Sequence, residues 1–398
     1  MNTEFGQQLK AAFETASDFV AVPPGLADRV RAGARRRRRR ALAATAAASA
    51  VLLAIAGTAY AATSQHRGAT AVTQAGQRPQ TLATVDYPVT QLAVGGRYLY
   101  VLGGLNSLLT AYDRDTGKLV RRVTLPSPAS ALVVGPAGLV WVSYSPDQGR
   151  GPAGIWLLTP DLGRHSADPG IVAPAIVAAG RTSAWVPGPG GLLRVHIPAP
   201  GQPGRASQQL EPGSSLGPGA RVPSGFLSDQ LGRRVAVLVT TGSVNDGHVV
   251  IAGSPALRYG GTPDTHIGAM TSTGNALWVT IYALRDGDQA IDGPLVRLNS
   301  ALSPTTPAPV QSSPLLARTE NVWSAGGTVW VTTDARGHSL TCFTAGDTTG
   351  PVTTLPVTGM VVALAASGSR VYVNALRPPY TYNTSSITSY PVPAACRA

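Results

Sequence analysis

Charged residues are scarce in this chain, since Asp, Glu, Lys and Arg make up only 13% of its 398 residues. Lys10 and Lys118 are the only two lysines, and apart from one arginine run the basic residues are scattered singly. A nucleic-acid interface needs a clustered basic stripe with interleaved aromatic side chains. The net charge of +12 therefore does not indicate a nucleic-acid partner.

Local motifs for catalysis or metal binding are also lacking. No two of the six histidines form a His-x-His or His-x-x-x-His pair, so local spacing does not indicate a zinc site. Neither a Walker phosphate-binding loop nor a dinucleotide fingerprint is present. The sequence accordingly predicts no catalytic residue, no metal ligand and no cofactor.

Glycine and proline, in contrast, are abundant, with 45 and 33 residues respectively. That number is too high for a helical protein and fits a fold with many short strands and turns. Apolar residues make up 43% of the chain, which argues against global disorder. The Arg-rich, Lys-poor composition with much Ala, Gly and Pro is typical of a high-GC bacterial coding sequence.

One phrase recurs seven times along the chain: an apolar run, a turn that usually contains glycine, and a second apolar run with an aromatic-Val pair or its substitute. The anchor residues of the second run are separated by 41, 44, 51, 42, 52 and 42 residues. A period of this size with four short strands per repeat predicts an all-β, seven-bladed β-propeller over residues 81–393. The seven anchors are Tyr100, Trp141, Trp185, Ala236, Trp278, Trp330 and Tyr372.

A ring of blades must also close without leaving an exposed sheet edge. Residues 81–87 precede the first blade and belong to no blade of their own. Propellers often close by adding such a strand to the last blade, so we expect residues 81–87 to pair beside 387–392.

Residues 41–62 form an uncharged, Ala-rich run of 22 residues that directly follows six arginines, 35–40. As a helix the run would span about 33 Å, one hydrocarbon core. The positive-inside rule then predicts a single-pass membrane protein with a cytoplasmic N-terminus and an extracytoplasmic propeller. The alternative is a cleaved signal peptide, because Ala59-Tyr60-Ala61 resembles a cleavage site.

The segments on either side of this signal anchor have their own patterns. Residues 1–40 carry a short amphipathic helix, with Phe5, Leu9 and Phe13 on its apolar face, that is suited to a cytoplasmic protein partner or to the membrane surface. The alternative is a frayed, partly disordered tail. Residues 63–80 are predicted to be a linker and residues 394–398 a C-terminal tail.

The chain has two cysteines, Cys342 in the third strand of predicted blade six and Cys396 just beyond blade seven. These blades are neighbours in space, and a cysteine pair outside the membrane is expected to be oxidised. We therefore expect a Cys342–Cys396 disulfide across the closure, with two free thiols as the alternative.

The repeat phrases resemble those of the bacterial seven-bladed propellers that include YVTN, NHL and streptogramin-lyase-like proteins. The resemblance covers most of residues 81–393. It rests on Gly-x-Val-Trp-Val phrases from Gly138 and Gly327, Gly-x-x-x-Tyr-Val phrases from Gly96 and Gly368, and the Asp-x-x-Thr-Gly hairpin of blade one. It implies a propeller fold and leaves the function open.

The lyase branch of this superfamily implies an alternative function, an exported propeller enzyme. His266-Ile267-Gly268 followed by Ala276-Leu277-Trp278-Val279-Thr280 is similar to the lyase phrase that carries catalytic and magnesium-binding residues. Ile281, however, stands where that phrase has an acidic residue. The alternative interpretation is that His266 is an ordinary loop histidine without a catalytic role.

Two further motifs allow a chemical and a non-chemical interpretation. Asp286, Asp288 and Asp292 place three carboxylates in one loop, which suits either a calcium site or a solvated acidic loop. Residues 213–217 match the Gly-x-Ser-x-Gly string of a nucleophile elbow, but Pro212 and Pro218 argue against the strand and helix that an elbow needs.

Length variation is concentrated between the second and third strands of the predicted blades, at 143–154, 241–248, 282–294 and 374–386. These loops share one face of a propeller, and loop aromatics with arginine suit recognition of a protein, peptide or glycan. We therefore predict a binding or sensing scaffold, with ordinary loop drift as the alternative. The candidate ligand-face residues are Tyr144, Tyr282, Arg285, Tyr380 and Tyr382.

Overall fold

The computed structural model describes most of residues 79–397, all within one compact unit, Ala69–Ala398. The stretches that are not described are 104–105, 146–151, 172–175, 177, 189, 219, 221, 223–227, 232–233, 241–246, 263–264, 286–288, 307–315, 317, 326, 334–338, 346–351, 358 and 377–383. The predicted tail 1–40, the predicted span 41–62 and all but two residues of the linker lie outside the described residues. Within the described part, no helix has the length and apolarity that a membrane crossing requires.

The described residues form seven separate antiparallel sheets in the order of the chain, which confirms the predicted seven-bladed propeller. Six sheets have four strands and the fifth has three. Blade one consists of β2 (Gln91–Gly95), β3 (Tyr98–Gly103), β4 (Leu108–Asp113) and β5 (Leu119–Thr124). Blade two consists of β6 (Ala129–Val134), β7 (Val140–Tyr144), β8 (Gly154–Leu158) and β9 (His165–Pro169). Blade three consists of β10 (Ala178–Ala179), β11 (Ser183–Gly188), β12 (Gly191–His196) and β13 (Ser207–Leu210).

Blades four to seven continue this order, and blade seven takes its outer strand from the start of the domain. Two 3₁₀ turns, Pro136–Gly138 and Ala394–Cys396, complete the described regular structure. Blade four consists of β14 (Ser228–Leu231), β15 (Arg234–Val239), β16 (His248–Ile251) and β17 (Ser254–Gly260), and blade five of β18 (His266–Thr273), β19 (Ala276–Arg285) and β20 (Gln289–Leu298). Blade six consists of β21 (Val322–Ala325), β22 (Thr328–Thr332), β23 (Ser339–Thr344) and β24 (Thr353–Pro356). Blade seven consists of β25 (Met360–Ser367), β26 (Arg370–Leu376), β27 (Ser385–Pro391) and β1 (Gln80–Val85).

The second strand of every blade carries the anchor residue that defined the repeat. These strands lie between two neighbouring blades, so both of their faces are covered and both carry apolar side chains. Trp141, Trp278 and Trp330 are fully buried there and fill the wedges between blades. The aromatic-Val phrase is therefore a packing motif, in which the ring fills one wedge and the β-branched residue the other.

The ring closes through the strand that precedes blade one. β1 pairs antiparallel with β27, as the sequence analysis predicted, and Val85 lies opposite Ser385. Tyr87 then enters blade one, where its buried hydroxyl is 2.7 Å from the Thr110 hydroxyl and burial raises its pKa to about 12. A Cβ atom at Gly103 would lie 2.5 Å from the Tyr87 ring, so only glycine leaves room for this ring.

Polar side chains connect consecutive blades at their inner ends. Gln91 of blade one accepts a hydrogen bond from the backbone N–H of Leu132 in blade two, at 2.8 Å. The indole N–H of Trp141 donates to the carbonyl of Gly180 in blade three at 3.1 Å. Because buried polar groups are costly when unpaired, these bonds fix the angle between blades as well as their contact.

The two cysteines are joined by a disulfide between β23 of blade six and the 3₁₀ turn after blade seven, with a Cα–Cα distance of 5.8 Å. Thr328 and Thr344 donate hydrogen bonds to the carbonyls of Cys396 and Ala395, respectively. The C-terminal segment is thus held against blade six by one covalent bond and two hydrogen bonds.

We predict that replacing both cysteines by serine lowers the free energy of unfolding by about 2–4 kcal/mol, because the disulfide closes a long loop in the unfolded chain. Urea unfolding of the full chain under non-reducing conditions measures the change. Wild-type protein treated with a reducing agent is the matched control and should unfold with the same midpoint as the double variant. An unchanged midpoint in both would contradict the prediction.

Candidate functional site

The propeller has two distinguishable faces. The upper face holds the connections between second and third strands and the starts of the inner strands; for example, Tyr144 pairs with Gly154 and His266 with Tyr282 there. The lower face holds the turns between first and second strands and between third and fourth strands, as between Gly95 and Tyr98 and between Tyr112 and Leu119. The strand ends that flank three of the four predicted long connections lie at the upper face: Tyr144 and Gly154, Val239 and His248, and Leu376 and Ser385.

The fourth predicted loop, 282–294, is mostly strand, and the loop interpretation is wrong there. β19 continues to Arg285 and β20 begins at Gln289, and their register pairs Tyr282 with Asp292 and Leu284 with Ala290. The two strands are long because residues 283–285 continue the antiparallel backbone pairing with residues 289–291.

A cavity of about 390 Å³ lies at the centre of the ring, between the inner strands. Its wall combines apolar side chains, such as Met270 and Leu364, with the polar residues Thr90 and Asn321 and the indole of Trp323. A mixed wall of this size fits a small ligand or a peptide side chain. The inner strands of blades one, two, five, six and seven contribute to it.

His266 and Tyr282 form a stacked pair at the upper end of blade five. Their backbones are direct partners between β18 and β19, and their rings stack with centroids 5.2 Å apart. His266 is only 6% exposed, yet in the part of the chain that the structure describes neither of its ring nitrogens has a hydrogen-bond partner. Tyr282 is half-buried, and this burial raises its pKa.

A β-bulge places this pair beside the central cavity. The register shifts between Ile267 and Ala269, and Gly268 in the bulge lines the cavity. A Cβ at Gly268 would lie 3.0 Å from Oγ1 of Thr280 and 3.5 Å from the Tyr282 ring. Thr280 accepts the Ala269 N–H at 2.9 Å and donates to the Glu320 carbonyl at 3.2 Å, so it holds the bulge against blade six.

The structure does not support Tyr144 as a ligand-face residue. Tyr144 is the last residue of β7, is 3% exposed, and packs edge-on against Trp156 with centroids 5.9 Å apart. The sequence predicted a loop from residue 143, but the strand continues through Tyr144, and a residue that ends a strand still points into the wedge between blades. Tyr144 therefore belongs to the core of blades one and two.

The other three predicted ligand-face residues remain predictions. Arg285 ends β19, but its side chain lies outside the described part of the structure. Tyr380 and Tyr382 also lie outside the described residues. Of the five candidates, Tyr282 is the one whose side chain is described as half-exposed. It stacks on His266, the histidine of the phrase that is similar to the lyase phrase.

Blade two contains a polar cluster that the sequence analysis missed. Trp156 stacks on His165 with centroids 4.0 Å apart. Nearby in β9, Asp168 is buried, one of its carboxylate oxygens lacks a hydrogen-bond partner, and burial raises its pKa while Gln208 opposes the rise. The alternation of Trp156 with Ile155 and Leu157 was the only sequence signal, and it does not reveal the cross-strand partner.

The two ambiguous motifs have different outcomes. Ser214 is buried in a turn, where its hydroxyl donates to the Glu211 carbonyl at 2.7 Å and accepts the Leu192 N–H at 2.9 Å. This hydroxyl holds a turn together, and no helix follows it among residues 215–218. Asp286 and Asp288 lie outside the described residues, as does the side chain of Asp292. Across the described residues, no group of three or more His, Cys, Asp or Glu side chains is placed to hold a metal ion.

Comparison with known proteins identifies the fold and no family. No family model matches the chain, and no curated protein matches it. Solved structures do match: the Pan2 WD40 domain of Neurospora crassa has 10% identity and a TM-score of 0.53 over 80% of this chain and 98% of that domain.

Hydrazine synthase of Kuenenia stuttgartiensis has 13% identity and a TM-score of 0.51 over 80% of this chain and 100% of its own. U3-55K has 11% identity and a TM-score of 0.51, over 79% of this chain and 98% of its own. At such identities the similarity shows a shared propeller architecture only.

We predict that His266→Phe raises the free energy of unfolding by about 1 kcal/mol, because phenylalanine keeps the stack on Tyr282 and removes two unpaired buried nitrogens. Urea unfolding of the full chain measures the change. His165→Phe is the matched control: this histidine also stacks on an aromatic ring but is exposed, so its replacement should change stability by less than about 0.5 kcal/mol. A loss of stability for His266→Phe would show that the imidazole is bonded in the native protein.

Proposed function

We propose that the propeller is a binding scaffold whose upper face, centred on the His266–Tyr282 pair and the central cavity, binds a protein, peptide or glycan partner. The propeller fold commonly serves as a protein-binding scaffold, and the WD40 structures similar to this chain are of that architecture. The observation that carries the proposal is the buried imidazole of His266, whose two nitrogens have no hydrogen-bond partner among the described residues.

An unpaired buried polar group lowers stability and is retained where it serves a purpose. At His266 one ring nitrogen can donate and the other accept, which matches the alternating donors and acceptors of a peptide backbone. The half-exposed Tyr282 ring adds a flat aromatic surface with a polar tip, the type of side chain that dominates binding energy at interfaces. The partner would thus be held by stacking on Tyr282 and by hydrogen bonds to the ring nitrogens of His266.

We further propose that the scaffold is displayed on the outer side of the cell membrane. The support is the uncharged run 41–62 behind six arginines, which fits a signal anchor with its N-terminus in the cytoplasm. The disulfide agrees with an oxidising compartment. In this arrangement residues 1–40 would recruit a cytoplasmic protein partner, while the propeller binds on the outside.

The enzymatic alternative, a lyase-type activity centred on His266, receives less support. The residue that follows Thr280 is Ile281, which is half-buried and offers no acid or metal ligand beside the imidazole. The ring next to His266 is the phenol of Tyr282, and burial raises its pKa, so it is a weaker acid than usual. We therefore favour binding over catalysis.

We predict that a photo-reactive residue at position 282 of the full chain captures a partner in native membranes, and that the same residue at position 98 does not. Tyr98 is a half-buried aromatic at the start of β3 on the lower face, and so is a matched control. His266→Phe should reduce capture at position 282 at least fivefold, since a phenylalanine cannot donate or accept a hydrogen bond. Digestion of the captured material with protease separates a protein or peptide from a glycan. Equal capture from both positions would refute an upper-face site.

Membrane attachment is tested separately. We predict that the full chain stays in the membrane pellet after an alkaline carbonate wash, because one apolar span inserts far more firmly than a surface contact. Deletion of residues 41–62 should release the protein, while deletion of residues 1–34 should not. Release of the full chain by the wash would favour the cleaved signal peptide.

A further inference from the structure

A second candidate site lies on the lower face, between blades five and six. A groove of about 750 Å³ opens there beside the turn after β18 and the turn after β21. Its wall includes the hydroxyl residues Thr273, Ser324 and Thr344, and one charged side chain, Arg297. No Asp or Glu is among the described residues that line it. The groove is at the opposite face from His266, so it is independent of the proposed function.

The position of Arg297 follows from strand pairing. Arg297 in β20 is the direct cross-strand partner of Trp278 in β19, so the two side chains project from the same face of blade five. Trp278 meets Phe343 of blade six edge-on, with ring centroids 5.1 Å apart. The Arg297 side chain therefore leaves blade five on the face that meets blade six, where it lines the groove.

Among the described residues, the guanidinium of Arg297 has no anionic partner, since none of their ion pairs includes it. Its Nε is buried and has no hydrogen-bond partner in the described part of the chain. Other arginines whose groups are partly buried behave differently: Arg114 bonds the Ser367 hydroxyl at 2.8 Å, and Arg370 bonds the Ser389 hydroxyl. A partly buried cation without an anion is unfavourable, because desolvation is not offset by pairing.

A hydroxyl donor faces the same groove. Oγ1 of Thr273 accepts the indole N–H of Trp278 at 3.0 Å, and no described group receives its own hydroxyl hydrogen. The neighbouring Ser324 hydroxyl is different, since it donates to the Ser272 carbonyl and accepts from Thr271, each at 2.7 Å. Thr273 thus offers one hydrogen bond in the groove that Arg297 also lines.

We propose that this groove binds an oxyanion, a carboxylate or phosphate group, between the Arg297 guanidinium and the Thr273 hydroxyl. The planar guanidinium donates two parallel hydrogen bonds to either group, and the hydroxyl supplies a third from the side. The absence of acidic side chains from the described wall leaves the positive charge for the ligand. The site adds an anionic ligand on the face opposite the upper-face partner.

The test is calorimetric titration of the full chain, in chloride buffer of constant ionic strength, with inorganic phosphate and separately with glutarate. We expect saturable binding with a Kd of about 1 mM for at least one probe, the range of a single small anion. Binding of one probe alone identifies phosphate or carboxylate as the preferred chemistry. No saturable heat with either probe up to about 50 mM would overturn the proposal.

Variants locate the site. Arg297→Gln should weaken binding at least tenfold, and Arg297→Lys about threefold, since lysine keeps the charge but loses the two-bond geometry. Thr273→Val should weaken binding about threefold or more without changing the charge. Arg258→Gln is the matched control, because Arg258 is an exposed arginine on β17 of blade four and should leave the Kd unchanged.

Each variant is checked by its circular dichroism and unfolding midpoint before titration. Should Arg297→Gln not fold, Arg297→Lys and Thr273→Val carry the test. Unchanged affinity in these two folded variants, or an equal loss in Arg258→Gln, would show that the heat comes from general charge and would refute the site.

Discussion

The whole domain depends on the fact that no blade can bury its second strand alone. Each of these strands is apolar on both faces, so every blade needs a neighbour on either side. For blades one and seven that requirement is met only by closing the ring. β1 pairs with β27, and the chain then passes directly into blade one, where Tyr87 is buried against Thr110. Closure is thus a condition for the stability of every wedge.

Both candidate sites are located where this packing leaves polar groups unpaired. The His266 nitrogens and the Nε of Arg297 are buried at the upper and lower ends of blade five. Gly268 and the bulge hold the first site, and the pairing of Arg297 with Trp278 holds the second. Rigid strands fix these groups within narrow limits, so a ligand that pairs with them need not order them first. Among the described residues, three of the seven buried side-chain atoms without a hydrogen-bond partner belong to blade five.

The fold could be predicted from the sequence because its signal repeats. Seven anchor phrases fixed the number of blades, one unassigned strand indicated the closure, and the blade order brought the two cysteines together. The sites were harder to predict, because each depends on register. Tyr144 was assigned to a loop because the predicted strand ended before residue 143, whereas β7 continues to Tyr144. Two pairings depend on cross-strand register that spacing along the chain does not give: the stack of His266 on Tyr282, and Arg297 opposite Trp278.

The closing strand also determines how the ring would respond to mechanical load. Any tension along the residues before Gln80 reaches the domain through β1, whose backbone bonds to β27 are the first to carry it. The segment that follows blade seven is linked to blade six by the Cys342–Cys396 disulfide. Pulling would therefore separate β1 from β27 first. The disulfide would keep blades six and seven attached to each other.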